Sequence, residues 1–308
     1  MENQNIQKKI EILYTDEHLC VINKPSGLLS VPYPGSRVRT AQSLLEEIMH
    51  KNGTCSNSHK PYPVHRLDKD TSGVMVFALT ESAQKKIMDG WHQLVTERLY
   101  RAVAENPKNK KLILPKEGLI DDGLAFNSRN QGYVPKNTKE KQQADSTGNG
   151  TQERKPTVPA RTNYRILHAG PTHTLFELSL DTGKKNQIRA HLASKGYPLA
   201  GDENYRARTD FFGRLCLHAR TLEFEHPFTG EKLKFEVPEP KSWLEYVKKG
   251  DPNPKTPRWI ERLYSSFDKK GERFHSNHEN SLNLGQKRLS KKERAHMNFI
   301  EAGKKSKF

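Results

Sequence analysis

The chain has 308 residues, of which 33% are hydrophobic and 29% are charged, and its formal net charge is +16 at pH 7. This length is sufficient for one large domain or two small ones with a buried core. The surplus of positive charge favours a polyanionic partner, most simply a nucleic acid. The alternative interpretation is a basic surface that is only solvated.

Cysteine usage and hydrophobicity exclude several classes of protein. The three cysteines, Cys20, Cys55 and Cys216, are widely spaced and odd in number, which argues against a disulfide framework and against structural zinc. No segment approaches the run of about eighteen apolar residues that a membrane span needs, and the N-terminus has no apolar signal core. We therefore expect a soluble, cytoplasmic protein without membrane contact.

The first part of the chain alternates short apolar runs with turn signals. The patterns predict these elements in order: two strands within EILYTDEHLCVINKPSG around a turn at 15–18, a helix over 40–51, a strand VMVFAL (74–79), a helix from an N-cap at Thr80 to about Trp91, and a strand over 98–105. The predicted first helix places Leu44, Leu45, Ile48 and Met49 on one face.

Residues 130–158 contain almost no apolar side chains and show no period, so we predict a flexible insertion there. After it, the patterns predict a hairpin around Gly170–Pro171, a helix in NQIRAHLASKG with Gly196 as its C′ residue, and a second hairpin in RTLEFEHPFTGEKLKFEV. Strands followed by hairpins, with few helices, predict an α+β fold.

The C-terminal part differs in composition from the rest. DPNPKTP, from residue 251, is typical of a linker, and residues 255–308 contain 14 basic and 6 acidic residues, which is half of the total charge surplus. We predict one short amphipathic helix over 259–267 and otherwise a basic extension, largely disordered, over 251–308. Residues 1–250 would form the main domain.

The stretch HRLDKDTSG (65–73) concentrates polar chemistry directly before the apolar strand VMVFAL. Taken alone, it suits a solvated loop. It does not match the kinase pattern H-R-D-L-x-x-x-N, because its Asp is displaced by one position, and TGKKN (182–186) lacks the upstream glycine of a phosphate loop. A carboxylate held where a loop enters a buried strand is well suited to catalysis.

Five blocks occur in one order along the chain: VINKPSGLLSVP (21–32), HRLDKDTSG (65–73), RLYRAVAE (98–105), LDTGKKNQIRAHLASKGYPLAGDENY (180–205) and LCLHARTLEFEHP (215–227). Together they resemble the RluA family of RNA pseudouridine synthases, over roughly residues 10–240. The first block is most similar to the RluA branch proper, without the small S4 RNA-binding domain. The resemblance implies the pseudouridine synthase fold, with a mixed, mostly antiparallel central sheet flanked by helices and loops and an active-site cleft across the sheet.

The resemblance also implies an isomerisation in structured RNA, either rRNA or a tRNA stem-loop. A flipped-out uridine would be cleaved between C1′ and N1, turned, and rejoined through C5, without a cofactor or a metal. The family's carboxylate matches Asp68, which would either attack C1′ or remove a proton from C2′. Arg189 matches the arginine that pairs with it, and Tyr100 matches the tyrosine that packs on the uracil and helps to remove the C5 proton.

Further substrate-binding roles follow from the same resemblance. Arg66 would occupy the gap left by the flipped base, His65 would shape the loop, Leu217 would line the uracil pocket, and Lys184 and Gln187 would contact RNA. We expect Asp70 to be exposed, and we expect Thr71 and Ser72 to form local hydrogen bonds to the backbone. Three roles are open for Asn23 and Lys24: orienting the loop, approaching RNA, or a purely structural one.

The arginine block departs from the family's common form, G-R-x-H-Q-[IL]-R. Here the block is GKKNQIR, so Lys184 replaces an arginine and Asn186 replaces a histidine. Lysine keeps the charge but loses the bidentate fork, which affects RNA selectivity more than chemistry. We expect a monomer with RNA as its partner. The alternatives are an RNA chaperone or ribosome-assembly factor, suggested by the basic tail, and a DNA-directed role, which the family resemblance disfavours.

Overall fold

The computed structural model describes residues 9–135 and 156–251. The predicted tail helix over 259–267, the rest of the basic extension and the middle of the predicted insertion lie outside these residues. Within them, no helix has both the length and the apolar character that crossing a membrane would take.

The strands of the described residues, in chain order, are β1 (Glu11–Thr15), β2 (Leu19–Lys24), β3 (Tyr62–Pro63), β4 (Ser72–Ala78), β5 (Val95–Glu105), β6 (Glu117–Ile120), β7 (Ala125–Phe126), β8 (Gly132–Tyr133), β9 (Thr162–Ala169), β10 (His173–Leu180), β11 (Leu217–Glu225) and β12 (Lys232–Glu236). The helices are α1 (Ala41–Lys51), α2 (Glu81–Asp89), α3 (Trp91–Leu94), α4 (Gln187–Ser194) and α5 (Lys241–Lys249). Thr80 caps α2 as predicted, since its hydroxyl accepts from Ala83 N.

Ten of these strands form one sheet, in the order β1-β2-β4-β11-β5-β10-β9-β6, with β12 added to β11 and β3 added to β4. The β4–β11 pair is parallel, and the other pairs are antiparallel. The predicted α+β fold with a mixed, mostly antiparallel sheet is confirmed. The two predicted hairpins are present as β9–β10 and β11–β12, and the two strands predicted around the turn at 15–18 pair as β1–β2.

The unbroken apolar run of β4 is explained by cover on both faces of the sheet. Met75 and Phe77 pack with α1 on one face, whereas Val74 and Val76 pack with α2 on the other. Because side chains alternate along a strand, a strand buried on both faces reads as a continuous hydrophobic segment. This strand is therefore a rigid support for the loop that precedes it.

The middle of the sheet is covered in the same way by α4 and α5. Ile188 and Leu192 of α4 pack on one face of β5 and β10, and Trp243 and Val247 of α5 pack on the other. The sequence patterns did not predict α5, in which Trp243 is fully buried. Its packing fixes the strands that carry the site, although it lies near the end of the described residues.

The predicted insertion is structured at both of its edges. Gly132–Tyr133 forms β8, which pairs with β7, and Val158 forms a β-bridge with Leu124. The two ends of the predicted insertion therefore take part in backbone pairing, and the flexibility of the segment stays a prediction. The turn before β8 contains Asn130, whose φ of 54° lies in the left-handed region that asparagine tolerates better than most residues.

Gly73 shows why a glycine closes the HRLDKDTSG stretch. It lies opposite Ala219 in the parallel β4–β11 pair and has a φ of +115°. A Cβ placed on Gly73 would lie 2.0 Å from the carbonyl oxygen of Ala219, far inside van der Waals contact. Only glycine permits this close approach of the two strands.

Candidate active site

The register of the central strands brings the sequence blocks together. Because β4 and β11 are parallel, with Gly73 opposite Ala219, the chain entering β4 lies beside the chain entering β11. On the other side of β11, Tyr100 of β5 lies opposite Ala219, and Leu178 of β10 lies opposite Tyr100. The loop before β4, the start of β11 and the middle of β5 therefore meet at the centre of the sheet.

A cleft with a cavity of about 360 Å³ opens at this point. That volume falls within the range of about 300–1,000 Å³ that is typical of small-ligand sites. All the residues that the sequence assigned to the site line it: His65, Arg66, Asp68, Tyr100, Lys184, Gln187, Arg189 and Leu217. They come from four of the five sequence blocks.

The Asp68 carboxylate contacts two groups through one oxygen. Its Oδ2 accepts a hydrogen bond from Nδ2 of Asn186 at 2.7 Å and lies 3.5 Å from Nη1 of Arg189. Its Oδ1 has no hydrogen-bond partner among residues 9–135 and 156–251. The Asp68 side chain keeps 20% of its surface exposed, so the carboxylate is accessible from the cleft.

Arg189 is held by a second carboxylate that the sequence analysis did not single out. Its Nε donates to Oδ2 of Asp202 at 2.8 Å, and its Nη2 donates to Oδ1 of Asp202 at 2.7 Å. The guanidinium carbon also lies 5.2 Å from the centre of the Tyr205 ring. This bidentate pair leaves Nη1 as the nitrogen nearest to Asp68.

Arg189 stays positively charged although its side chain is buried. Burial alone would lower the pKa of Arg189, but its hydrogen bonds to Asp202 and the charges of Asp202 and Asp68 outweigh it and raise this pKa above the ordinary value. The site thus contains a fixed cation beside one accessible carboxylate. A sequence signal for Asp202 existed, because a buried arginine needs a carboxylate partner and Asp202 lies in the same sequence block.

The NKPSGLLS stretch holds the backbone of the Asp68 loop. The fully buried Lys24 donates from Nζ to the carbonyl oxygens of Leu28 at 2.7 Å and of Lys69 at 3.1 Å. Ser30 bonds both the carbonyl and the amide of Leu67, and Ser26 donates to the carbonyl of Asp70. Of the roles left open for Lys24, these contacts support orientation of the loop.

His65 is also tied to the fold. Its Nε2 accepts a hydrogen bond from Val76 N at 3.0 Å, and its ring packs near Trp91 with 5.1 Å between ring centres. Burial, assisted by the charge of Arg98, lowers the pKa of His65 to about 3. A neutral ring that already accepts from the backbone is suited to shaping the loop rather than to accepting a proton.

Two other predicted residues form one wall of the cleft. Tyr100 packs between two hydrophobic clusters of the core, and Leu217 belongs to one of them and is buried. Burial raises the pKa of Tyr100, so its hydroxyl stays protonated near neutral pH. The ring of Tyr100 therefore offers a flat, fixed surface beside Asp68.

Gln187 lines the cleft, but its side-chain amide is hydrogen-bonded to other groups of the protein. Its Oε1 accepts from Thr182 Oγ1 and from Lys184 N, and its Nε2 donates to the carbonyl of Arg161 and to Thr162 Oγ1. Direct RNA contact by this buried side chain is therefore disfavoured, and it fixes the start of α4 instead. Arg66 and Lys184, in contrast, are exposed beside the cleft.

Two minor expectations about the loop were wrong. The Ser72 hydroxyl does not bond locally: it contacts His218 Nδ1 at 2.8 Å and accepts from Arg214 Nη2 at 2.6 Å, which joins β4 to β11. Asp70 is half-buried rather than exposed. The Ser72 hydroxyl therefore joins the loop to the strand beside it.

A further group of possible metal ligands lies outside the cleft. One ligand atom from each of Glu46, His50 and Cys55 lies within 4.8 Å of the others. None of these three residues lines the cavity beside Asp68. The site chemistry described above does not involve them.

The fold has counterparts among solved structures. Human RNA Pseudouridylate Synthase Domain Containing 1 is 22% identical, with a TM-score of 0.56 over 78% of this chain and 87% of that chain. Human RNA Pseudouridylate Synthase Domain Containing 4 is 22% identical, with a TM-score of 0.55 over 79% of this chain and 95% of that one. The fold is therefore that of the pseudouridine synthases.

Sequence comparison extends this result from fold to family. The model of the RNA pseudouridylate synthase family matches residues 18–194. A ribosomal large subunit pseudouridine synthase D from Pseudomonas aeruginosa is 32% identical over 77% of this chain and 70% of its own length. An uncharacterized RNA pseudouridine synthase of Bacillus subtilis, YlyB, is 32% identical over 77% of this chain and 72% of its own.

The chain belongs to the RNA pseudouridylate synthase family, which confirms the resemblance inferred from its five blocks. It is an isomerase that converts uridine in RNA to pseudouridine.

Proposed function

We propose that Asp68 acts on the ribose of a flipped-out uridine in ribosomal RNA, with Arg189 compensating its charge. The observation that carries this proposal is the Asp68 carboxylate itself, whose Oδ2 is bound by Asn186 and lies near Arg189 while its Oδ1 has no hydrogen-bond partner within the described residues. A carboxylate with one oxygen fixed and one available suits either attack on C1′ or removal of the C2′ proton.

Substrate entry would require the uridine to leave its stack, at a cost of about a few kcal/mol. The cavity of about 360 Å³ provides space for the extruded nucleotide beside Tyr100 and Leu217. Arg66 is exposed next to this cavity and has a planar guanidinium that can stack in the gap left in the RNA. Lys184, which is also exposed, would attract the phosphate backbone.

The reaction is balanced without any added reagent. In the nucleophilic route Asp68 forms a bond to C1′ as the C1′–N1 bond breaks and the electron pair stays on uracil; the base then turns in the cleft, and the Asp68–C1′ bond breaks as C5 bonds to C1′. In the other route Asp68 removes the C2′ proton as the C1′–N1 bond breaks, and it returns this proton to C2′ when C5 bonds to C1′. Loss of the C5 proton and protonation of N1 complete the isomer. Because Tyr100 stays protonated near neutral pH, its proposed role is to pack on the base, and its hydroxyl is a poor base for the C5 proton.

Ribosomal RNA is the proposed substrate because several relatives are named ribosomal large subunit pseudouridine synthase D, including those from Pseudomonas aeruginosa and Haemophilus influenzae. A tRNA stem-loop is the alternative substrate. We also propose that the protein acts in the cytoplasm, where its proposed ribosomal RNA substrate occurs, and that it acts as a monomer.

The decisive assay measures release of tritium from transcripts that contain 5-³H-uridine. Large-subunit ribosomal RNA and a tRNA pool would be compared as substrates. We expect release from the ribosomal transcript, and we expect Asp68→Asn to lose at least about a thousandfold in rate. Asp70→Asn, on the same loop, is the matched control and should retain activity.

Two outcomes would contradict the proposal. Activity that survives Asp68→Asn would show that this carboxylate does not take part in the chemistry, and tritium release from tRNA alone would show that tRNA is the substrate.

Complementation of a deletion strain distinguishes the isomerase from an RNA chaperone. If Asp68→Ala restores growth of a deletion strain fully while the modified base is absent, RNA binding rather than isomerisation is the essential activity.

A further inference from the structure

Asn186 makes the short contact to Asp68, although it is one of the two positions at which the GKKNQIR block departs from the family's common form. Its Nδ2 lies 2.7 Å from Oδ2 of Asp68, whereas Nη1 of Arg189 lies 3.5 Å from the same oxygen. We propose that Asn186 is a positioning residue for the reaction, which fixes Oδ2 of Asp68 and leaves Oδ1 for the ribose. This inference rests on the proposed role of Asp68.

The backbone conformation of Asn186 keeps its side chain from capping α4. Asn186 is the N-cap residue of α4, and an asparagine in this position normally accepts a hydrogen bond from a backbone amide of the first turn. Here no such side-chain bond forms, because the residue adopts a left-handed conformation with φ 57° and ψ 21°. The amide contacts the carboxylate of Asp68 instead.

The frame around Asn186 is rigid, so its amide is held in one direction. The carbonyl of Asn186 accepts from Ala190 N at 2.9 Å in the first turn of α4. The next residue, Gln187, is buried and uses both ends of its side chain in hydrogen bonds to the preceding loop and to the segment that enters β9. The position of Nδ2 is therefore set by the fold.

Arg189 and Asn186 act on the Asp68 carboxylate in different ways. The two hydrogen bonds from Arg189 to Asp202 direct its guanidinium, so it supplies charge to Asp68 at 3.5 Å without a short directional bond. The Asn186 amide supplies the directional bond and carries no charge. An amide does not titrate, so this contact to Asp68 persists over the whole working pH range.

Removal of the amide tests the inference. Asn186→Gly keeps the left-handed backbone without strain and deletes the donor. We expect kcat to fall about 10-fold to 100-fold on the ribosomal transcript, with KM changing less than about threefold, since a hydrogen bond to a charged group is lost. Asn130→Gly is the matched control, because Asn130 has nearly the same φ, 54°, and lies outside the cleft.

A pH profile separates positioning from a general structural role. Loss of a donor to a carboxylate favours its protonated form, so the acid limb of kcat against pH should move to higher pH in Asn186→Gly. The other titratable or charged groups around Asp68 are unchanged by this substitution: Arg189 of α4, Tyr100 and Arg98 of β5, His92 of α3, His65 and Arg66 of its own loop, and Lys184 and Tyr205.

Asn186→Asp provides a second readout that does not depend on the glycine variant folding. Two adjacent carboxylates repel each other when both are ionised and share a proton when the pH is lower. We therefore expect very low activity at pH 8, with the ratio of variant to wild-type activity rising as the pH falls toward 5.

Wild-type kcat and an unchanged pH profile in Asn186→Gly would overturn the inference, as would full activity of Asn186→Asp at pH 8. Should the glycine variant fail to fold, as judged by its melting curve against that of Asn130→Gly, the Asn186→Asp result decides. An inactive wild-type enzyme would instead refute the proposed function. If the wild-type enzyme is active and the Asn186 variants are equally active, only the role of Asn186 is refuted.

Discussion

Arg189 donates two hydrogen bonds to Asp202, at 2.8 and 2.7 Å, and both side chains are buried. Asp202→Asn removes the charge but keeps the volume, which leaves the buried guanidinium of Arg189 without its bidentate carboxylate. We expect the free energy of unfolding to fall by about 3–5 kcal/mol, because breaking a buried ion pair from one side is strongly destabilising. Urea unfolding measures this change.

The control for that prediction is Glu47→Gln, which removes the exposed ion pair between Arg39 and Glu47. We expect it to change stability by less than about 1 kcal/mol. An Asp202→Asn variant that is as stable as this control would show that Asp202 does not hold Arg189 in solution. The tritium-release rate of Asp202→Asn should fall as well, because Nη1 of Arg189 would no longer be fixed near Asp68.

Gly73→Ala should destabilise the protein, because its Cβ would lie 2.0 Å from the Ala219 carbonyl oxygen. We expect a loss of at least about 2 kcal/mol, since two paired strands must separate to admit the methyl group. Gly35→Ala is the matched control: Gly35 also has a positive φ, +78°, but nothing lies within 4 Å of its added Cβ. Equal melting temperatures for the two variants would contradict the close approach of β4 and β11.

Lys24→Met should loosen the Asp68 loop. The substitution keeps a long side chain but removes the hydrogen bonds from Nζ to the carbonyls of Leu28 and Lys69. We expect a loss of about 1–3 kcal/mol in stability and a lower kcat, because buried carbonyl groups are left unsatisfied. Lys69→Met, at an exposed position of the same loop, should leave the unfolding midpoint unchanged.

Acid should destabilise the fold well before its carboxylates are protonated. Burial lowers the pKa values of His173, His191 and His218 and lowers the pKa of His65 to about 3. The unfolded chain then binds more protons than the folded chain once the pH falls below about 6.5, so stability is lost in that direction. Asp16 and Glu177 are carboxylates whose pKa values are lowered because their hydrogen bonds outweigh burial, and they lose their contributions only near and below their ordinary pKa values, at lower pH.

Urea unfolding at pH 7.5, 6 and 5 checks this pH dependence. The unfolding midpoint should decrease steadily from pH 6.5 to 5, and His65→Gln, which keeps an acceptor for Val76 N, should reduce the slope. A midpoint that stays constant over this interval would mean that the buried histidines titrate normally.

The basic segment 255–308 should add phosphate attraction without specificity. Deleting it is expected to weaken RNA binding and to flatten the dependence of the binding constant on salt, because fewer counterions are released. The rate of the chemical step should change little. An unchanged salt slope in filter-binding titrations would show that the segment has another role.

Local patterns predicted most elements of the fold because these elements follow from their own sequences. The apolar run VMVFAL, the cap at Thr80 and the Gly196 terminus of α4 each report a local preference. The helix α5 was missed because its stabilisation comes from Trp243 packing against a sheet that is distant in sequence. The short strands β3, β7 and β8 were missed because two-residue pairings leave no periodic pattern.

The residues that line the cleft could be predicted from the sequence, but their contacts could not. The family resemblance named Asp68 and Arg189. Asp202 could be suspected from its place in the same block, but its pairing with Arg189 and the contact of Asn186 with Asp68 depend on side-chain directions that spacing does not encode. The left-handed backbone at Asn186 is such a case, since it decides whether the amide caps α4 or reaches Asp68. Lys24 is another, because its carbonyl partners become neighbours only when the loop is folded.

The parallel pairing of β4 with β11 also sets when the enzyme becomes competent during its synthesis. The segment that carries Asp68 emerges early, but its neighbouring strand begins only at Leu217. Until that strand has left the ribosomal tunnel, β4 lacks one edge partner and the cleft lacks a wall. A nascent chain shorter than this should therefore lack a complete cleft and be unable to isomerise uridine.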